Sequence, residues 1–255
     1  MITHSSLGTL TLLTSLLSTV ALAQTQAPLE HLVGEAYDLD SGQLIYREHH
    51  AFEYKDGELS TALVQYRRAD GELIGEKTLN FEPDLYLPAF RTSLYEKRYI
   101  EGLRHVGDGQ VELFRRGPGD DKDDTKRIRR RSQMAGDAGF NTYVFSRFDE
   151  LLSGEAITFH FAAPNRLMDV KFKAQRIEDG EVEGMPVVRF KVAIASLLSL
   201  FLDPLILAYD PETRHLIEYR GLSNVRDESG ELYEVRIVYP ELIRKPGALA
   251  RTAPS

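Results

Sequence analysis

Several long stretches of this chain alternate strictly between apolar and polar residues. From Glu155 to Ala163 the apolar phase is Ile157, Phe159 and Phe161, with Thr158 and His160 opposite. From Asp169 to Gln175 it is Val170, Phe172 and Ala174, against Lys171, Lys173 and Gln175. Val188, Phe190, Val192 and Ile194 form a third set, and Tyr233, Val235, Ile237 and Tyr239 a fourth. A period of two turns one face of a strand to a covered side and the other to solvent. Between such runs stand acidic or small residues followed by glycine: Asp56-Gly57, Asp70-Gly71 and Ser229-Gly230, with similar patterns at Gly107–Gln110 and Glu178–Glu181. Asp-Gly supplies the positive φ angles of a two-residue hairpin turn. Runs of about ten strand-forming residues are long and suit a strongly bent sheet.

Helical spacing is scarce. Across Asp137–Ser153, Phe140, Tyr143, Val144, Phe148, Leu151 and Leu152 recur at three- and four-residue steps. Asp137 is placed to cap the start of this helix and Gly154 to end it. In Val192–Asp210, alternation breaks at Ala195-Ser196, and Leu197, Leu198, Phe201 and Leu202 fit one helical face before Asp203-Pro204. Leu205–Asp210 then reads as strand. The expected fold is mainly β: a strongly curved antiparallel sheet, a half-barrel or open barrel, packed on one or two helices, Asp137–Ser153 and Ser196–Leu202. The second helix is read as a core plug, as the wall of a cavity for acyl chains, or as a membrane contact. It is not read as a span, because a charge and a proline interrupt it.

The first residues change the picture. An apolar Leu/Ser/Thr run leads to Ala21-Leu22-Ala23, the small-x-small pattern of a signal-peptidase site, although no Lys or Arg precedes it. The expected organisation is a signal peptide over 1–23, one β-rich domain over 24–245 and a disordered tail over 246–255, in a periplasmic or secreted protein. An uncleaved N-terminal anchor is the alternative. The chain has no cysteine, so an exported form must hold together by burial. Its formal net charge of −8 argues against general nucleic-acid binding, which draws on phosphate neutralisation.

Residues 207–240 carry a resemblance. Tyr209-Asp210 turning at Pro211-Glu212-Thr213-Arg214, a strand, Gly221-Leu222-Ser223-Asn224 and a hairpin into a last strand together resemble the closing strands of uncharacterised exported proteins of Gram-negative bacteria. These are similar in style to periplasmic proteins of the lipoprotein-carrier type. The resemblance implies a curved sheet around an apolar cavity and brings no catalytic motif.

Candidate chemistry is sparse. In Arg47-Glu48-His49-His50, the two histidines point to opposite faces of a strand, whereas Glu48 and His50 share a row with Leu44, Tyr46, Phe52 and Tyr54. Two ionisable groups on an apolar row suit a handle for a ligand headgroup or an acid–base couple. A bulge that leaves them wet, or an arginine that satisfies them, is the plainer alternative. His31, His105, His160 and His215 stand singly, His160 on the solvent phase, so no metal is expected. Gly-x-Ser-x-Gly and phosphate-loop motifs are absent, and no cofactor is expected. Phe159, Phe161, Phe172 and Phe190 form an aromatic row that is either core or, with Leu198 and Phe201, the lining of an apolar site. The stretch Arg115–Gln133 reads as a loop in which four aspartates precede Lys126, Arg127, Arg129, Arg130 and Arg131. These arginines suit an anionic surface or an acidic partner, unless the aspartates fold back on them. The functional expectation is non-enzymatic binding of a lipid or other apolar small molecule, serving envelope maintenance, with an envelope protein as a possible partner and no integral membrane role. A protein-interaction module with a filled core is the first alternative, and a hydrolase with a dispersed site the second.

Overall fold

The computed structural model describes residues 30–195 and 203–244. The signal-peptide, Ser196–Leu202 and tail readings, with Leu198 and Phe201, lie outside the described residues.

The chain opens with a run of antiparallel strands: β1 (His31–Asp38), β2 (Leu44–Lys55), β3 (Glu58–Arg68), β4 (Leu73–Asn80), β5 (Ala89–Leu94), β6 (Tyr99–Gly107), β7 (Gln110–Arg116) and β8 (Asp124–Arg129). A short β9 (Met134–Ala135) leads to helices α1 (Gly139–Ser146) and α2 (Phe148–Leu152). Then follow β10 (Ile157–Ala163), a 3-10 turn (Pro164–Arg166), β11 (Met168–Arg176), β12 (Gly180–Val182), β13 (Met185–Ile194), β14 (Leu205–Tyr209), β15 (Leu216–Arg226), β16 (Leu232–Val238) and α3 (Pro240–Arg244).

All but β12 lie on one path, β8-β7-β6-β5-β4-β3-β2-β1-β16-β15-β14-β13-β11-β10-β9. The pairs are antiparallel except β9 with β10. The first and last strands pair in the middle of the sheet, with Ala36 opposite Ile237. The sheet curls until its ends approach. Arg131 Nε lies 2.8 Å from Asp169 Oδ2, and Arg115 Nη1 donates to the Asn165 carbonyl at 2.6 Å. The architecture is therefore mainly β and barrel-like, with a seam closed by side chains between β7–β8 and β10–β11.

Two apolar clusters fill the curl. One gathers residues of β1–β7, β15, β16 and α3, among them Tyr46, Tyr66, Phe81, Leu103 and Ile237. The other packs Tyr143, Val144, Phe148 and Leu151 of the helices against Ile157, Phe159, Phe190 and Leu207 of the strands.

The hairpin turns form where aspartate and glycine precede a strand: Asp56-Gly57 and Asp108-Gly109 both have positive φ. Four local expectations are corrected. The hairpin turn between β12 and β13 falls on Glu183-Gly184, with φ of 50° and 83°, and Gly180 starts a strand. The Asp137–Ser153 helix is two helices, broken at Arg147 (φ −114°, ψ 16°). Asp137 does not cap the first; the N-cap is Ala138, without a side-chain cap bond. Residues 124–129 are a strand paired with β7 rather than part of a loop. The helical stop is as expected: Gly154 has φ 89° and its N–H donates to the Leu151 carbonyl at 3.1 Å.

Candidate functional site

Residues in register across an antiparallel sheet share a face, so pairing alone builds the interior of this barrel. One row runs Glu101, Thr92, Lys77, Val64, His50, Leu32 across six strands, β6 to β1. The adjacent row runs Tyr99, Leu94, Gly75, Tyr66, Glu48, Gly34 across the same strands. A third continues round the sheet as Tyr46, Ala36, Ile237, Tyr219, Leu207, Phe190. The first two bring ionisable groups together inside the fold. The third leads from them to the aromatic wall.

Glu48 and His50 share a face as expected. His50 Nε2 lies 3.2 Å from Glu48 Oε2, and Glu48 is 5% exposed. The register shifts in β2 pairing fall at Ala36/Tyr37 and Glu53/Tyr54, away from this pair. Buried tyrosines surround it. Burial pushes the phenols of Tyr46, Tyr66 and Tyr239 well above their ordinary value, and the Glu48 charge adds to the shift. Gly34 makes room for this: a Cβ there would stand 2.9 Å from Tyr239 Cε1. Tyr46 donates its hydroxyl to Ser223 Oγ at 3.0 Å, and that serine donates in turn to the Val225 carbonyl.

Lys77 is the second centre. Its ammonium donates to Asp137 Oδ1 at 2.7 Å and Oδ2 at 2.6 Å, with both side chains more than nine-tenths buried. Asp137 reaches it because the backbone there is left-handed (φ 46°). Gly136 and Gly139 on either side press against the β4–β5 connection: a Cβ on Gly139 would meet the Tyr86 carbonyl oxygen at 2.3 Å. Beside Lys77, Thr92 is 1% exposed and its Oγ1 has no hydrogen-bond partner among the described residues. Glu101, next in the row, accepts from the Tyr99 hydroxyl at 2.8 Å. Burial raises the Glu101 carboxyl above the usual carboxylate range, against the pull of Tyr99 and Lys77. Arg226 lies over the Tyr99 ring at 4.1 Å and lines a cavity of about 40 Å³ with Leu94, Ile74, Arg68 and Tyr233.

The aromatic row also assembles. Phe159 contacts Phe172 at 6.0 Å, Phe161 contacts Phe172 at 5.9 Å, and Phe140 of α1 stacks on Phe159 at 5.5 Å. Phe190 is fully buried between Phe148 and Tyr209. Phe161 and Phe172 remain half-buried. Tyr219 joins the two walls, packing against both apolar clusters. Burial raises its phenol, yet part of its surface stays accessible.

The basic strand is answered by acids other than those the sequence suggested. Arg127 pairs with Glu112 at 3.2 Å, Arg130 with Asp84 at 2.6 Å and Arg131 with Asp169. The nearby Asp123 and Asp124 pair instead with Arg116 and Arg115. Arg129 is exposed. His160 is not simply solvated: its Nδ1 lies 2.8 Å from Asp169 Oδ2, at the seam. Among the described residues no three His, Asp or Glu side chains converge as metal ligands, and no helix is long and apolar enough to cross a membrane.

Sequence reasoning missed Lys77, Asp137 and Glu101. The signal was present for two of them. Lys77 stands in phase with Leu79 and Phe81, and Glu101 with Tyr99 and Leu103, each a charge on an apolar row like Glu48.

The fold and its inward rows define a class: a β-barrel-like protein with ionisable groups enclosed by its sheet. Among solved structures, the chain is similar to a crystal structure described as a beta-barrel-like protein of a domain of unknown function, DUF1849, from Brucella abortus, a Gram-negative bacterium. The likeness covers 82% of this chain and 97% of that one, at 10% identity and a TM-score of 0.49. No family model matches the chain, and no curated protein matches it.

Proposed function

We propose that this is an exported, periplasmic, non-enzymatic protein that binds a lipid or other apolar ligand inside its curled sheet, in the service of the cell envelope. The observation that carries the reading is the division of the interior into two walls. Phe159, Phe161, Phe172 and Phe190 offer an apolar side, Glu48 and His50 a polar one, and the partly accessible Tyr219 lies between them. Burying charge inside a fold is costly, so ionisable groups on the inner rows are candidates for function as much as for packing. An acyl chain needs little more than a dry wall, since each buried methylene contributes about 0.8 kcal/mol. Native mass spectrometry of the protein purified from its own source, followed by lipid extraction, tests the reading. A stoichiometric lipid supports it; a clean apoprotein that takes up no fatty acyl probe overturns it.

A second reading is a protein-interaction module with a filled core. The stacking of Phe140 on Phe159 favours it, because α1 then occupies the wall that a ligand would need.

A further inference from the structure

The Lys77–Asp137 pair brings a primary amine and a carboxyl into contact inside the fold, from positions sixty residues apart. Nζ lies 2.7 Å from Oδ1 and 2.6 Å from Oδ2. A nitrogen so nearly equidistant from both oxygens faces the carbon between them at roughly 3 Å, the separation of a near-attack pair. Both ends are held in place. The Gly136 N–H donates to the Tyr86 carbonyl at 2.9 Å, and the Ala138 N–H donates to Asp137 Oδ1 at 2.7 Å. The Lys77 ammonium lies 6.0 Å from the centres of the Tyr66 and Phe90 rings. An enclosed ion pair carries a large desolvation cost, which a single neutral amide relieves. Proton carriers stand on the same row. Thr92 neighbours Lys77 in register, and Glu101 neighbours Thr92, with about 5 Å between β-carbons at each step. Burial favours the neutral acid at Glu101, and the Thr92 hydroxyl has no hydrogen-bond partner among the described residues.

We propose that Lys77 and Asp137 close a covalent amide bond, a folding-dependent cross-link between β4 and the segment that enters α1. The ion pair is the state before the bond closes. One ammonium proton passes to the carboxylate, which leaves a neutral amine facing a carboxylic acid. A turn of the carboxyl about Cβ–Cγ presents its face, the Nζ lone pair adds to Cγ, and the carbonyl π pair moves onto oxygen. Glu101 gives its proton, through the Thr92 hydroxyl, to the hydroxyl at Cγ. The C–O bond breaks, the carbonyl re-forms and one water departs. Nζ then returns a proton to Glu101 by the same route. No other reactant is consumed, and enclosure keeps water from reversing the step. In a chain without cysteine, the link does what a disulfide does for two distant segments.

The test is a tryptic digest of protein dissolved in urea from inclusion bodies and then refolded, with circular dichroism to follow folding. Trypsin does not cut at an acylated lysine. The refolded wild type should therefore yield peptide 69–91 joined to peptide 132–147, lighter than their sum by one water. Protein kept in urea shows no link, and neither does refolded Lys77→Arg. Glu101→Gln slows closure about a hundredfold, the worth of a proton carrier, while refolding at the wild-type rate. Folded wild type that yields only the separate peptides 69–77, 78–91 and 132–147 would overturn the bond. A link from Lys77 to any other carboxyl would overturn it too. Closure at an unchanged rate in Glu101→Gln would overturn the proton relay.

Discussion

Lys77 and Asp137 hold a full positive and a full negative charge together in the interior, and each depends on the other. Removing one partner of such a pair strands the other in a low-dielectric site, at a cost of roughly 3–5 kcal/mol. Lys77→Met is therefore expected to lower the free energy of urea unfolding by about 3 kcal/mol. Adding Asp137→Asn, which tolerates the left-handed backbone, is expected to recover part of that loss, in the manner of a coupled pair. Glu101 sets a pH signature. Its folded pKa lies above the unfolded value because burial disfavours the charge. The stability it contributes is complete below the unfolded pKa and is lost as pH rises through the folded pKa. Glu101→Gln should thus gain on the wild type as pH rises above the normal carboxylate range and converge with it at acid pH below that range. Paired urea titrations at both ends measure this difference. Glu35, Asp169 and Asp179, whose pKa values are lowered, act alike in both proteins and cancel.

At the scale of elements, the helical pair fills the aromatic half of the barrel. Phe140→Ala removes the ring that stacks on Phe159 and meets Phe161. It is expected to cost about 2–3 kcal/mol, less than a fully buried phenylalanine, and to increase uptake of an apolar fluorophore if the vacated wall accepts a guest. Hairpins were legible because aspartate-glycine turns and period-two alternation are local. Strand facing was legible too, and it placed Glu48 beside His50 and gathered the four phenylalanines. Other features were not local. Alternation says which side a residue faces and nothing about which strand lies next to it, so the meeting of β1 with β16 could not be read. Asp137 looked like a helix cap because capping is the commonest use of aspartate before an apolar stripe. Its actual partner, Lys77, is sixty residues away. The strand at 124–129 was hidden by its charges, which an edge strand tolerates and even favours.

For the molecule as a whole, the seam is the weakest boundary of the sheet. It is held by the Arg131–Asp169 contact and by Arg115 on the Asn165 carbonyl, mostly at part-exposed positions. Exposed ion pairs of this kind contribute about 0–1 kcal/mol. Arg131→Ala is accordingly expected to change global stability by under about 1 kcal/mol while speeding amide exchange in β8 and β9 well before it does so in β2 or β15. Hydrogen-exchange mass spectrometry separates the two.

The junction of β1 and β16 also sets a clock. During synthesis the leading hairpins can zip together as they emerge, but the central ladder of the wall waits for the final strand to be made. Until then the nascent sheet is two half-shells with raw inner borders. Refolding should be slow for a chain of this length, because joining partners some two hundred residues apart demands the entropy of closing almost the entire polypeptide. A holdase that shields unpaired strands should raise its yield more than its rate.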